Sequence, residues 1–248
     1  MTIKNGWVGF LVALLFNAAC TPNNVKTDAA IEPILQKAGV KGSFALLENG
    51  TESFIIHNLS AYKDSTLAPQ NSFFIVPALI ALDKGWIPTQ VDHWLPFTAD
   101  TAYQGLIQKI GRKMLLETID SLHYGKGLIS ADSSAFWNNN TLRITADEQL
   151  GFIKRLYFNQ LFFQKRSQEW LKKMLLKEDN ANYKLSYIAT ADTARNNSAW
   201  VIGYIEENKH PYFFVLSTTA NTSEDLLNKN INVVKAILTQ QGFFKGTR

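Results

Sequence analysis

Pro69-Gln70-Asn71-Ser72-Phe73-Phe74-Ile75 runs through Val76-Pro77 into Ala78-Leu79-Ile80-Ala81-Leu82-Asp83-Lys84-Gly85. The stretch reads as a polar turn feeding an almost wholly apolar helix over 72–83, stopped near Gly85. Residues three apart on a helix are neighbours on one face, so Asn71 and Phe74 meet, as do Ser72 and Ile75. A hydroxyl and an amine at that spacing would form a nucleophile–base pair. Here the pair is a carboxamide, which is not a nucleophile, and a phenyl ring, which takes no proton. Ser72 faces Ile75, and one residue of register turns a side chain about 100° round the helix. Pro77 lies inside the helical pattern, where proline costs a hydrogen bond.

Working outward, strand patterns at 42–47 and 52–57 flank Asn49-Gly50, a hairpin signal. A helix over 29–38 precedes them and ends before Gly39. The polar run 58–66 reads as a loop, and it holds the only literal S-x-x-K, Ser60 to Lys63. Helical patterns follow at 102–111, at 146–158 after Thr145, and at 168–176. Strands return at 185–190, 200–206 and 212–217. A last helix, started by Thr222 or Ser223 and stopped near Gly242, shows Leu227, Ile231, Val234 and Leu238 on one face. Two strands, a helical block, three strands and a helix predict an α+β domain over 29–248.

The opening stretch resembles the active-site helix of class D serine β-lactamases, whose serine and lysine fall at Asn71 and Phe74. Further anchors recur in family order. Thr98-Ala99-Asp100 resembles the second motif. Tyr124-Gly125-Lys126 is similar to a Tyr-Gly-Asn element, with Lys126 for asparagine. Phe136-Trp137, then Leu142-Arg143-Ile144-Thr145, resembles a Phe-Trp and Leu-Lys-Ile-Thr run. Ala189-Thr190-Ala191 stands at the Lys-Thr/Ser-Gly motif, and Ala199-Trp200-Val201-Ile202-Gly203-Tyr204 resembles Gly-Trp-x-x-Gly-Trp.

The resemblance implies the β-lactamase/transpeptidase-like fold, an antiparallel sheet flanked by helices with an inserted helical subdomain. It also implies a degenerate site at Asn71, Phe74, Thr98, Tyr124, Lys126, Ala189, Thr190 and Ala191, with ligand-binding candidates Thr98, Trp137, Thr190 and Arg195. Arg195 falls where the family holds a substrate carboxylate, and its guanidinium suits one; the other reading is a surface arginine beside Asn196 and Asn197. The function implied is a non-catalytic binding or interaction module for a β-lactam or a peptidoglycan stem-peptide fragment. The rival is an enzyme that uses Ser72. In a third reading Phe74 and Ala191 fill the old cleft, leaving a structural protein.

The 248 residues carry 46% hydrophobic and 19% charged residues, ordinary for one folded domain. The net charge of +4 is interspersed and matches no nucleic-acid signature. Lys4, the apolar run 7–16 and Ala18-Ala19-Cys20 resemble a bacterial lipoprotein signal, implying a signal peptide over 1–19 and a lipidated Cys20 with tether over 20–28. An ordinary secretory signal is the alternative; either exports the chain to the periplasm or outer membrane. One cysteine allows no internal disulfide. His57, His93, His123 and His210 lack ligand spacing, so neither metal nor cofactor is expected. Asp147-Glu148 reads as helix-start stabilisation, and Phe158, Phe162 and Phe163 as core or contact surface.

Overall fold

A computed structural model describes residues 24–87, 100–126, 136–194, 197–222 and 224–248. Cys20 and the segment before it, Thr98 and Arg195 lie outside the described residues.

The chain starts with β1 (Val25–Thr27), α1 (Ile31–Ala38), β2 (Val40–Glu48) and β3 (Ser53–His57). α1 stops at Gly39, whose φ of 70° is left-handed and whose N–H caps the carbonyls of Leu35 and Gln36. The hairpin forms where expected, but Glu48 pairs with Ser53, so its loop is the four residues 49–52. Residues 25–27, expected as tether, pair in parallel with β3, Val25 opposite Phe54.

The helical block comprises α2 (Leu59–Asp64), β4 (Thr66–Leu67), a 3-10 turn (Gln70–Phe74) leading directly into α3 (Ile75–Asp83), α4 (Asp100–Ile110), α5 (Arg112–Leu122), β5 (Ile144–Thr145), α6 (Ala146–Tyr157) and α7 (Lys165–Leu175). Two helices depart from expectation, as do β4 and β5, which pair with each other. The run read as a loop is α2, capped by the Asn58 side chain, which accepts from Ala61 N–H at 3.2 Å. α2 buries a single side chain, Tyr62, whose hydroxyl donates to Asp147 at 2.6 Å. The other is α5, which restarts the helix after Gly111 leaves helical geometry at φ 76°, ψ 149°. α6 opens on a capping box, Thr145 and Glu148 each satisfying the other's backbone N–H, so the acids at 147 and 148 act structurally. Pro77 falls in the first turn of α3, where a missing N–H costs little.

β6 (Leu176–Asp179), β7 (Lys184–Asp192), β8 (Ser198–Glu207), β9 (His210–Ala220) and α8 (Leu226–Gln240) complete the chain. The seven-stranded sheet has the order β1-β3-β2-β9-β8-β7-β6 and is antiparallel except between β1 and β3. Strand alternation sends Phe44, Leu46, Val201, Ile205, Phe214 and Leu216 into one core with Ile31 and Leu35 of α1 and Val233 and Ile237 of α8. Ala45, Leu47, Trp200, Ile202, Phe213 and Val215 face the other core, beneath the helical block. The α8 stripe forms as expected at Val234 and Leu238, with Ile231 partly buried beside them, and departs at Leu227. Leu226, Asn230, Val233, Val234, Ile237 and Leu238 are buried, while Leu227 is 37% exposed. Gly203 is required by close approach, since a Cβ there would sit 2.1 Å from the Ser186 carbonyl oxygen on β7.

Candidate functional site

The 3-10 turn is clamped from both sides. Gln70, at φ 54°, donates its N–H to the Trp137 carbonyl at 2.9 Å. Its side-chain Nε2 donates to the Ser198 carbonyl at 3.1 Å and to the Ser198 hydroxyl at 2.7 Å. This ties the turn to the first residue of β8. Next along, Asn71 N–H donates to Thr190 Oγ1 on β7 at 3.3 Å. A left-handed φ on a non-glycine residue is a strain that such over-determined contacts sustain. Trp200 adds a further tie, its Nε1–H donating to the Ala68 carbonyl at 2.9 Å.

Beneath the turn the polar groups are closed on themselves. Ser72 is 1% exposed; its Oγ donates to the Pro69 carbonyl at 2.5 Å and accepts from Gln149 Nε2 at 3.0 Å. The Tyr124 hydroxyl donates to Gln149 Oε1 at 3.2 Å. Burial pushes the Tyr124 phenol far above its ordinary range, and its hydrogen bonds to Ser72 and Gln149 offset part of that rise. Ser72 therefore serves the packing of the turn and gives no support to an enzyme that uses it as nucleophile. Ser72→Ala should leave Gln149 Nε2 short of a partner, while the Pro69 carbonyl keeps the Ser72 backbone N–H at 3.2 Å, and should cost about 1–3 kcal/mol. Thermal unfolding checks this, with an expected fall in Tm of roughly 2–12 °C; an unchanged Tm would show that the network contributes nothing.

Phe74 is 2% exposed and lies in the core beneath the helical block. Phe73 stacks on Trp137 at 5.9 Å and 16° and meets Phe136 edge-on at 5.3 Å. Trp137 is 4% exposed. This ligand-contact candidate packs in the core, and its carbonyl holds Gln70.

The remaining candidates separate. Thr190 touches Asn71, as the motif order implies. Ala189 and Ala191 pack with the α1 and α8 core, on the other face of β7 from Thr190, so Ala191 does not fill a cleft beside the turn. Tyr124 belongs to the buried network, whereas Lys126 is exposed and pairs its backbone with Arg143. Gly125 between them has φ 72°, and a Cβ would lie 2.5 Å from the Arg143 carbonyl oxygen. Ser60 sits exposed on α2, its hydroxyl 3.5 Å from Asp64, so the literal S-x-x-K forms no site. Among the described residues no group of three or more His, Cys, Asp or Glu side chains could hold a metal ion. Gln70, Gln149 and Ser198 are the site residues that sequence reasoning missed.

No protein-family model matches the chain. Among characterised proteins it is 29% identical over 220 residues to the β-lactamase OXA-48 of Klebsiella pneumoniae, covering 78% of this chain and 80% of that one. A class D β-lactamase structure from Sebaldella termitidis superimposes with a TM-score of 0.79 at 19% identity, covering 89% of this chain and 98% of that one. The C-terminal domain of the Bacillus licheniformis BlaR penicillin-receptor gives 0.77 at 21% identity, covering 89% and 97%. The chain has the fold shared by class D β-lactamases and the BlaR penicillin receptor. In this chain the turn before α3, the end of β7 and the start of β8 form one junction. Here Gln70, Asn71, Thr190 and Ser198 hold it together.

Proposed function

We propose that this protein is a non-catalytic binding module on the class D β-lactamase fold, exported and anchored at the cell envelope through Cys20. One observation carries the reading. The two positions that would supply nucleophile and base hold Asn71, whose backbone is fastened to Thr190, and Phe74, sealed in the core. A core phenyl ring cannot accept a proton, and a carboxamide does not attack a carbonyl. A fold-mate bears the name penicillin-receptor, so the fold serves reception as well as hydrolysis. The lysine before the apolar run and the small residues before Cys20 support export and anchoring.

The ligand is a small carboxylate, a β-lactam or a peptidoglycan stem fragment, held by Arg195 with the Thr98 and Thr190 hydroxyls beside it. Lys126, which stands where the family has asparagine, adds positive charge. Calorimetric titration with benzylpenicillin and with a D-alanyl-D-alanine peptide tests this. Arg195→Ala should weaken binding by about 1.5–3 kcal/mol, the range for a hydrogen bond to a charged group. Equal affinity of both proteins, or no binding by either, would overturn the carboxylate reading.

A further inference from the structure

Five large apolar side chains are exposed among the described residues, and three of them, Phe158, Phe162 and Leu176, lie on the α6–α7–β6 segment. Phe162 is the most open at 58% and stacks flat on the buried Phe163 at 4.4 Å, which fixes its ring outward from the turn before α7. The middle of this segment is basic, up to Glu178 and Asp179 on β6. Residues 162–177 hold Lys165, Arg166, Lys172, Lys173 and Lys177 against the single acid Glu169. Glu169 is already engaged, by Lys172 at 3.0 Å and Asn159 at 2.6 Å. Lys165, Arg166 and Lys173 are exposed and form no ion pair among the described residues.

α7 cannot turn to hide this face. Leu171 and Leu175 are buried on its inner side, and Ser167 Oγ and Gln164 N–H hold Asp83 at 2.8 and 2.9 Å. At 100° per residue Lys165, Glu169, Lys173, Arg166 and Trp170 follow one another round the outward side, so three cations share this face with one acid that Lys172 already pairs. Lys173 also lies over the Trp170 ring, 5.0 Å from its centroid. Cations without ion-pair partners, beside the exposed Phe162 ring and the half-buried Trp170 ring, fit an anionic, partly apolar surface, where Phe162 enters the headgroup region and the cations meet lipid phosphates.

We propose that the outward face of α7, with Phe162 at its leading turn, docks onto an anionic phospholipid bilayer. The docking is independent of Cys20. Residues 24–248 contain both cores and the whole sheet, and solved chains of this fold are matched over 97% and 98% of their own length, so this unit folds alone and is the protein to test. It should sediment with vesicles of equimolar phosphatidylglycerol and phosphatidylcholine, far less with phosphatidylcholine alone, and less as salt rises. Reversing three charges together (K165E, R166E and K173E) should lower the anionic-vesicle partition by about a hundredfold or more. Phe162→Ser should lower it several-fold while circular dichroism stays that of the wild type. Equal binding to neutral and anionic vesicles, binding to neither, or wild-type partition by the charge-reversed protein would overturn the proposal. So would full binding by Phe162→Ser, since the aromatic turn would then not enter the bilayer.

Discussion

Held with excess benzylpenicillin, the protein should keep its mass, with no species heavier by one opened β-lactam. Acylation needs a hydroxyl at the turn and a base one helical step away, and neither is present at 71 and 74. The nearest substitute, Ser72, is 1% exposed, with its proton given to Pro69 and its lone pair to Gln149. Releasing it would break a buried network before any chemistry began. Ser60 is exposed, but Asp64, not an amine, is its hydrogen-bond partner. Removing a nucleophile from a serine site costs on the order of a million-fold in rate, about 8 kcal/mol of transition-state stabilisation. Intact-mass spectra after long incubation give the answer. A mass increase of one penicillin, mapped to a serine peptide, would end the non-catalytic reading and show that the turn opens in solution.

The frame of the fold was legible because burial is written into period. β7, β8 and β9 alternate between two cores, and α6 opens on a capping box, both visible in a linear string. What stayed hidden depends on distant partners. α2 buries one side chain in six, Tyr62, too few to show a helical period, and the core and Asp147 on α6 that receive it lie far along the chain. α5 was missed because Gly111 reads as a stop and Arg112-Lys113 as its polar continuation. β1 pairs in parallel with β3, a contact without local signature. In α8 the buried Asn230 accepts from Thr218 at 2.6 Å, so a polar residue occupies the apolar stripe and shifts its apparent face.

At the candidate site the motif positions were legible and their surroundings were not. Gln70 takes a left-handed φ for the sake of Trp137 and Ser198, far along the chain. One signal was available, because residues 189 and 191 must share a face that excludes 190 in any strand. That alternation alone places the two alanines with α1 and α8 and leaves Thr190 to face Asn71.

Phe74→Lys should destabilise the protein far more than it restores chemistry, whether alone or with Asn71→Ser. Phe74 precedes eight consecutive buried residues, Ile75 to Leu82, and its core is apolar. Losing a phenyl ring from such a core costs about 3–5 kcal/mol. The new ammonium must also leave water without a pre-arranged partner, a penalty that drives a buried lysine toward its neutral form. Even 3–5 kcal/mol should lower Tm by roughly 6–20 °C. The sign with pH separates the two causes. A lysine whose folded-state pKa lies below its unfolded value binds fewer protons when folded, so stability rises as pH rises toward the unfolded pKa of about 10.4. The Tm gap to wild type should therefore narrow between about pH 7 and about pH 9.5, while Phe74→Met, which keeps most of the volume and adds no charge, should cost under about 1.5 kcal/mol with a gap flat in pH. A lysine variant with wild-type Tm and no pH dependence would mean that position 74 reaches water, as a catalytic base must, and that two substitutions suffice to reopen the route to acyl chemistry.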